Sequence, residues 1–459
     1  MRGFMAAAVM VLGMGGVGMA DEAVVLTVEP GSPACKSFLG FGAEWDPGFW
    51  LRPGVTEADW QLVTKRIEWM KIPLVRMMMR VNWCSKEAGT YDWERPEMKN
   101  VCRYLDVCQK QGITVWLTDW GCEPGWLKVP GIADVGDAKY AEAIGTYMDY
   151  LLNKKGYSCI KYFIMVNEPN FEVGNFGRWK KGVENVTGEF KRRGLDKKVI
   201  FAGSDESGDD SWHRMAVDQM QNMLGAYDIH RYAPVDEVRS GGLKEFYKAQ
   251  WEYALSKDAK AGGKPKIVGE AGIMAGGSGT SNNALHLDYE YGVYMADYAV
   301  QAAGAGSWGV SAWMLEDSSH ENFTWGMWKD KRGGFALKPW FYVWSLLSRY
   351  VPAGSSMYEM ESGPDVRALA AHSSGKGKEG WTFCVVNRGD QARRVVIRVT
   401  GGKKVTLKDY VYSREGASAD KDGFPIPVGE IKGDLGAGVE VMCPAESVRI
   451  LTSIKREDR

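Results

Sequence analysis

Two glutamates stand at the ends of apolar runs that read as buried strands. In the first, Tyr162-Phe163-Ile164-Met165-Val166 stops abruptly in Asn167-Glu168-Pro169; in the second, "KIVGEAG" (Lys266–Gly272) carries Glu270. A carboxylate at such a place is chemically useful when it meets a second one. One member can deliver a proton to a leaving oxygen while the other, ionised, attacks an acetal carbon, and their separation sets the stereochemical outcome. Mutual repulsion and partial burial raise the proton affinity of one member of such a pair and leave the other charged.

Other runs end in polar or aromatic residues as well. Arg76 and Arg80 lie in "PLVRMMMR", Asp119 and Trp120 close a third run, and His230 and Tyr232 lie in "YDIHRY". Trp313 lies in "SAWMLED". Asp119 and Trp120, together with "GAEWD" (Gly42–Asp46), are expected to line subsites, because carboxylates and indoles together suit hydroxyls and flat apolar faces. Arg76 has a competing reading as a structural ion-pair partner, and His230 as a buried histidine that holds neighbouring groups. The acidic "SDESGDD" (Ser204–Asp210) does not have the spacing of a calcium loop and reads as a solvated loop.

The elements that must position these residues follow an alternating pattern. Eight short apolar runs recur with helix-like segments between them: 38–45, 74–81, 114–120, 162–168, 199–205, 227–232, 267–271 and 308–316. That alternation predicts a (β/α)8 barrel, whose working residues sit at the C-terminal ends of its strands. "EMKNVCRYLDVCQKQ" (Glu97–Gln111) repeats Val101, Leu105 and Cys108 at helical spacing before Gly112, and 339–351 predicts a further helix opened by proline. A doubly wound open sheet is the alternative, without a Gly-rich phosphate loop after the first run to support it. Past Pro352 the runs become short and alternating, as in "DVRALAAHS" and "SVRILTSI", which predicts an antiparallel β-sandwich over residues 352–459. The barrel is then expected over 37–351, and "AVVLTVEP" (Ala23–Pro30), in the 21–36 segment, has strand character that suits pairing with the sandwich.

Bulk properties narrow the partners. The chain has 459 residues, with 57 Lys and Arg against 58 Asp and Glu, so no net field favours nucleic acid or an anionic membrane. Residues 1–20, with Arg2, an apolar stretch and Gly18-Met19-Ala20 before Asp21, read as an export signal, which predicts a secreted or periplasmic protein with no membrane association after cleavage. Export permits disulfides: Cys84 and Cys122 follow successive runs and could bridge their loops, and Cys384 and Cys443 could bridge in the C-terminal region, with buried free thiols as the equal alternative for each pair. No metal spacing is present, so no metal or cofactor is expected, and no Gly-x-Ser-x-Gly elbow supports an esterase.

Asn-Glu-Pro closing the fourth run, a lone Glu closing the seventh, His-x-Tyr on the sixth and Trp on the eighth together resemble clan A of the retaining glycoside hydrolases, which includes families 5, 30, 39 and 51. A barrel that passes through "KPWFYVWSLLSRYVP" into a β-sandwich is similar to families 30 and 39, although Val166 stands where family 39 often has Trp. The resemblance implies that Glu168 is the general acid/base, Glu270 the nucleophile, and Asn167 the partner of the sugar 2-hydroxyl. It also implies that Tyr232 supports the nucleophile, that Arg76 steadies its charge, and that Trp313 lies beneath the sugar being cleaved. The expected activity is hydrolysis of β-glycosidic bonds in a carbohydrate substrate. The competing expectation is a carbohydrate-binding barrel that has lost the reaction.

Overall fold

A computed structural model describes residues 22–208, 210–274, 283–317, 324–360, 363, 365–375 and 377–456. The export reading falls on residues 1–20, outside the described residues. Two strands come first, β1 (Val24–Val28) and β2 (Cys35–Phe38). Eight parallel strands then close a barrel in chain order: β3 (Phe41–Glu44), β4 (Leu74–Met79), β5 (Thr114–Asp119), β6 (Ile160–Met165), β7 (Ile200–Ser207), β8 (Ala226–Pro234), β9 (Lys266–Met274) and β10 (Gly309–Ala312). Pairing of β10 with β3 closes the ring and excludes the open doubly wound sheet.

Nine strands follow: β11 (Ser355–Met360), β12 (Val366–Ser373), β13 (Gly380–Asn387), β14 (Arg393–Val399), β15 (Lys404–Ser413), β16 (Gly416–Ala417), β17 (Gly429–Asp434), β18 (Val439–Cys443) and β19 (Ser447–Thr452). They form two sheets. β1, β14 and β18 make one; the other runs β16-β15-β19-β13-β12-β11-β2, with β17 on β15. β1 pairs with β14 in parallel, and β2 lies antiparallel to β11. The 38–45 run is thus divided: Phe38 ends a sandwich strand and the barrel begins at Phe41.

Helices coat the barrel where the sequence predicts amphipathic segments, including Pro96–Gln111, which ends at Gly112 in the left-handed conformation, and Phe341–Tyr350. Inside the barrel, Leu74, Trp116, Tyr162, Ile164, Ala202, Ala226 and Ile267 pack as an apolar plug. That plug seals the lower half, so the polar strand ends above it form a floor rather than a channel. All eight cysteines are free thiols, so the free-thiol alternative holds for both pairs. Cys84 instead directs its thiol at the Val81 carbonyl. Cys384 packs in the layer facing the barrel and Cys443 inside the sandwich, on different sides of a sheet.

Candidate active site

Arg76 is the hub of the polar floor. In β4 it lies two residues beyond the plug residue Leu74, so strand alternation keeps it pointing inward and it is wholly buried. Nη1 donates to Glu270 Oε1, and Nη2 donates to Asn167 Oδ1 at 3.0 Å and to Asp205 Oδ2 at 2.9 Å. A planar guanidinium thus fixes three side chains from β7, β9 and the end of β6.

The abrupt end of β6 has a backbone cause. Val166 (φ 71°) and Glu168 (φ 43°) both adopt the left-handed conformation, which turns the chain sharply into the short helix Pro169–Glu172. For a β-branched residue this is strained backbone, and the Val166 N–H donation to the Asp119 carbonyl and the Trp179 indole donation to the Met165 carbonyl pin it. Asn167 is thereby folded inward. Glu168 is left at the rim with its side chain 21% exposed.

Two β-bulges aim the remaining groups. Between β8 and β9 the register slips so that Val268 pairs with Ile229 and Glu270 with His230; Gly269 is the extra residue. Plain alternation from the plug residue Ile267 would turn Glu270 outward, and the bulge turns it in. Asp205 is the extra residue of the same kind in β7, at φ 61°. Glycine is required beside Glu270: a Cβ on Gly269 would stand 2.5 Å from Asp228 Oδ1, and one on Gly272 would stand 2.8 Å from the Tyr232 ring. The Tyr232 hydroxyl consequently reaches Glu270 Oε2 and donates to it.

His230 joins the two glutamates. Its Nδ1 lies 3.1 Å from Glu168 Oε1 and 3.7 Å from Glu270 Oε2, and Nε2 lies 2.9 Å from Asp205 Oδ1. Ligand atoms of Glu168, His230 and Glu270 all fall within 4.8 Å of one another, which places the two carboxylates at arm's length across the mouth.

The charges are set by these contacts. Burial opposes ionisation of Asp205, but Arg76 and His230 hold its carboxyl below the usual range. Burial likewise disfavours a charged His230, yet Asp205 and Glu270 push its imidazole well above the ordinary value. Asp228, buried next to the charge of Asp205, is pushed well above the ordinary carboxylate range. Burial raises Glu270, with a further contribution from Glu168, against the opposing pull of His230, Arg76 and Tyr232. Asp205, Asp228 and His230 are also close enough to share a cation, but Arg76 already places a fixed positive charge against Asp205.

The structure brings Arg76, Asn167, Glu168, His230, Tyr232 and Glu270 together. Trp313, 8% exposed, packs with Met78, Met314 and Trp325 into an apolar wall that Trp120 and Tyr232 adjoin. Asp119 is not at the mouth. It is the register partner of Met79, one residue out of phase with the inward Met78, so it points at the outer helix Ala138–Asp149. There Tyr140 and Tyr147 donate to it along with the Gly121 N–H, and burial raises its carboxyl to about 6. Arg80 lies against the indoles of Trp83, Trp120 and Trp126, with its guanidinium carbon 4.5 Å from the Trp126 ring.

"SDESGDD" is not a solvated loop: Ser204–Ser207 are buried in β7, and Asp205 is at the centre of the site. Asp228, inside "YDIHRY", was also missed as a site residue. The signal for Asp205 is its position at the C-terminal end of its run, which outweighs acidity as a sign of solvent exposure; Asp228, the third residue of β8, carries no such mark and is brought in by sharing the inward phase of His230.

The chain matches the family model described as Cellulase (glycosyl hydrolase family 5) over residues 34–319. A search of curated protein sequences returned no match. Solved structures similar to it include a glycoside hydrolase family 30 subfamily 8 xylanase from Clostridium acetobutylicum, at 13% identity and TM-score 0.67, covering 94% of this chain and 99% of that one. An α-L-arabinofuranosidase from Thermotoga maritima matches at 14% identity and TM-score 0.67, with 94% and 99% covered. A monomeric β-xylosidase from Caulobacter crescentus matches at 13% identity and TM-score 0.63, also covering 94% and 99%.

Proposed function

From a chain that belongs to the cellulase family, glycosyl hydrolase family 5, within clan A of the glycoside hydrolases, we propose a retaining enzyme that cleaves β-glycosidic bonds by double displacement. Glu270 attacks the anomeric carbon while Glu168 protonates the departing oxygen. Glu168 then draws a proton from water, which releases the sugar from Glu270. The observation that carries this reading is the close approach of the two carboxylates, whose nearest oxygens fall within 4.8 Å. A separation of about 5 Å suits direct attack, whereas inversion needs roughly 6.5–9.5 Å to seat a water. Both glutamates in working geometry also count against a barrel that only binds sugar.

Arg76 and Tyr232 grip one oxygen each of Glu270, which orients the nucleophile and supports its charge. Asn167 spends its Oδ1 on Arg76, which turns its amide N–H groups toward a sugar hydroxyl. Trp313 supplies an apolar wall for the sugar face, and Trp120 with the half-exposed Trp126 extends it along the rim. The first twenty residues support export, with a mature chain that starts at Asp21, as N-terminal sequencing would check.

The reaction is tested by incubating the protein with 2,4-dinitrophenyl 2-deoxy-2-fluoro-β-glycosides of xylose, glucose and galactose and then mapping the adduct by peptide mass. A glycosyl adduct on Glu270, β-anomer as the first-formed product by proton NMR, and loss of turnover in Glu270→Gln are expected. First-formed α-product, or undiminished turnover in Glu270→Gln, would overturn the assignment.

A further inference from the structure

A third glutamate faces the site without a hydrogen-bond partner among the described residues. Glu44 ends β3 with 1% of its surface exposed, and neither carboxyl oxygen meets a hydrogen-bond partner among the described residues. A buried polar group in that condition destabilises the fold unless something binds it. Its direction is fixed by register. Glu44 pairs with Arg76, and directly paired residues of neighbouring parallel strands point to the same side of the sheet, which for Arg76 is the polar floor. On the other flank Ala312 pairs with Ala43, so Trp313 follows beside Glu44, where the Leu315 N–H donates to the Glu44 carbonyl. Glu44 therefore lies between the guanidinium that grips Glu270 and the indole of the apolar wall.

The two guanidinium groups nearest Glu44 direct their terminal N–H groups elsewhere. Arg76 is engaged by Glu270, Asn167 and Asp205, and Arg52 by Asp46 and Glu316. Burial pushes the Glu44 carboxyl well above its ordinary value, with Asp46 and Glu270 adding to burial against the pull of Arg76 and Arg52, which favours its protonated form. A protonated carboxyl has one O–H to give and lone pairs to receive, which is the complement of two adjacent ring hydroxyls.

We propose that the Glu44 carboxyl holds hydroxyl groups of the sugar unit seated over Glu270 and so rejects sugars that are deoxygenated or substituted at those positions. This assignment rests on the hydrolytic reading of the same site. Burial makes it selective in both directions: a missing hydroxyl leaves the carboxyl unpaired again, and an O-acetyl or branching sugar has no room.

The test uses the full chain and 4-nitrophenyl β-xyloside, β-glucoside and β-galactoside, each with its 3-deoxy and 4-deoxy counterparts. In the wild type, kcat/KM for the best parent glycoside is expected to exceed that of one deoxy counterpart by roughly 100-fold or more. Glu44→Leu is expected to lower kcat/KM for the parent by about 100-fold and to reduce the parent-to-deoxy ratio below about 10. Glu44→Gln, which can still donate and accept, should keep the larger part of that ratio. Thermal melts separate this role from a structural one: Glu44→Leu should melt at the wild-type temperature or above it, because an unpartnered polar group has been removed. A parent-to-deoxy ratio unchanged in Glu44→Leu, or lost activity that tracks a lowered melting temperature, overturns the assignment. Calorimetric binding of iminosugars and their deoxy analogues gives the same ratio without turnover. Glu44-dependent binding selectivity in a protein that hydrolyses nothing would support the role of Glu44 and sink the hydrolytic reading. Absence of both binding and turnover would sink the two together.

Discussion

Arg76 and His230 face Asp205 and Glu270 at the centre of the site; Asp205 and Glu270 push the His230 imidazole up against its burial, Arg76 and His230 hold Asp205 down, and burial pushes Asp228 and Glu44 well up. In such a balance one hydrogen bond can move the working pH. In the proposed mechanism Glu270 must be ionised to attack, so activity is expected to fall as pH drops through its pKa, which burial has raised above the ordinary carboxylate value. The Tyr232 hydroxyl donates to the charged carboxylate and holds that pKa down. Tyr232→Phe should therefore move the acid limb of kcat/KM to higher pH and lower kcat about 10- to 100-fold, the cost of one donor to a charged group. A pH–rate profile checks both, and an acid limb that stays put or shifts downward would refute the role given to Tyr232. Residue identities went far here, because Asn167-Glu168-Pro169, Glu270, His230 and Tyr232 are visible as polar interruptions of apolar runs. Asp205 was not, since four carboxylates among seven residues look solvated until two cations are brought to them from other strands.

At the scale of elements, the two bulges decide which side chains reach the floor. Alternation along an ideal strand would put Gly269 inward and Glu270 outward; the extra residue reverses this. The eight-strand pattern was legible as a series of apolar runs, but the register slips were not, because pairing is a property of two strands at once. A glycine within "KIVGEAG" was the one local hint, glycine in a strand being a common mark of a bulge or a close approach. Gly269→Ala tests whether the bulge is needed as built. Its new Cβ would stand 2.5 and 2.9 Å from the two carboxyl oxygens of Asp228, a wholly buried side chain with no room to withdraw. β9 must shift, at a cost of about 1–3 kcal/mol in stability, and a displacement of even 1 Å at Glu270 is expected to cost on the order of 100-fold in kcat. Steady-state kinetics beside a thermal melt would show it, and wild-type kcat in this variant would mean that the bulge does not aim the nucleophile. Asp119 shows the same principle in reverse: one step of phase moved an expected subsite carboxylate to the outer layer.

Across the whole molecule, the sandwich is part of the barrel's packing. Met357, Leu369, Ala371, Cys384, Val386, Tyr410, Val448 and Ile450 from its larger sheet belong to the same apolar cluster as the barrel helices. β1 and β2 tie the chain's start into the two sheets of the sandwich before the barrel begins, so neither part is a simple segment of sequence. The change of pattern past Pro352 announced a sandwich, but short alternating runs do not reveal which face is covered by helices. A well-buried ionic link across this junction is Arg367 of β12, which bonds Asp297 on the helix Tyr289–Gly304 and also donates to the Val238 and Arg239 carbonyls. Asp297 is 1% exposed and the Arg367 side chain 14%, so neither charge is well hydrated without the other. Removing the acid leaves Arg367 and the neighbouring Arg388 facing each other with nothing between, and breaking a buried pair from one side costs about 3–5 kcal/mol, more than the pair itself contributes. Asp297→Ala should lower the urea midpoint with an unchanged m-value and a single transition, because a continuous core unfolds as one unit. Two separated transitions, seen by tryptophan fluorescence and circular dichroism, would instead mean that barrel and sandwich fold independently and that the shared cluster does not couple them.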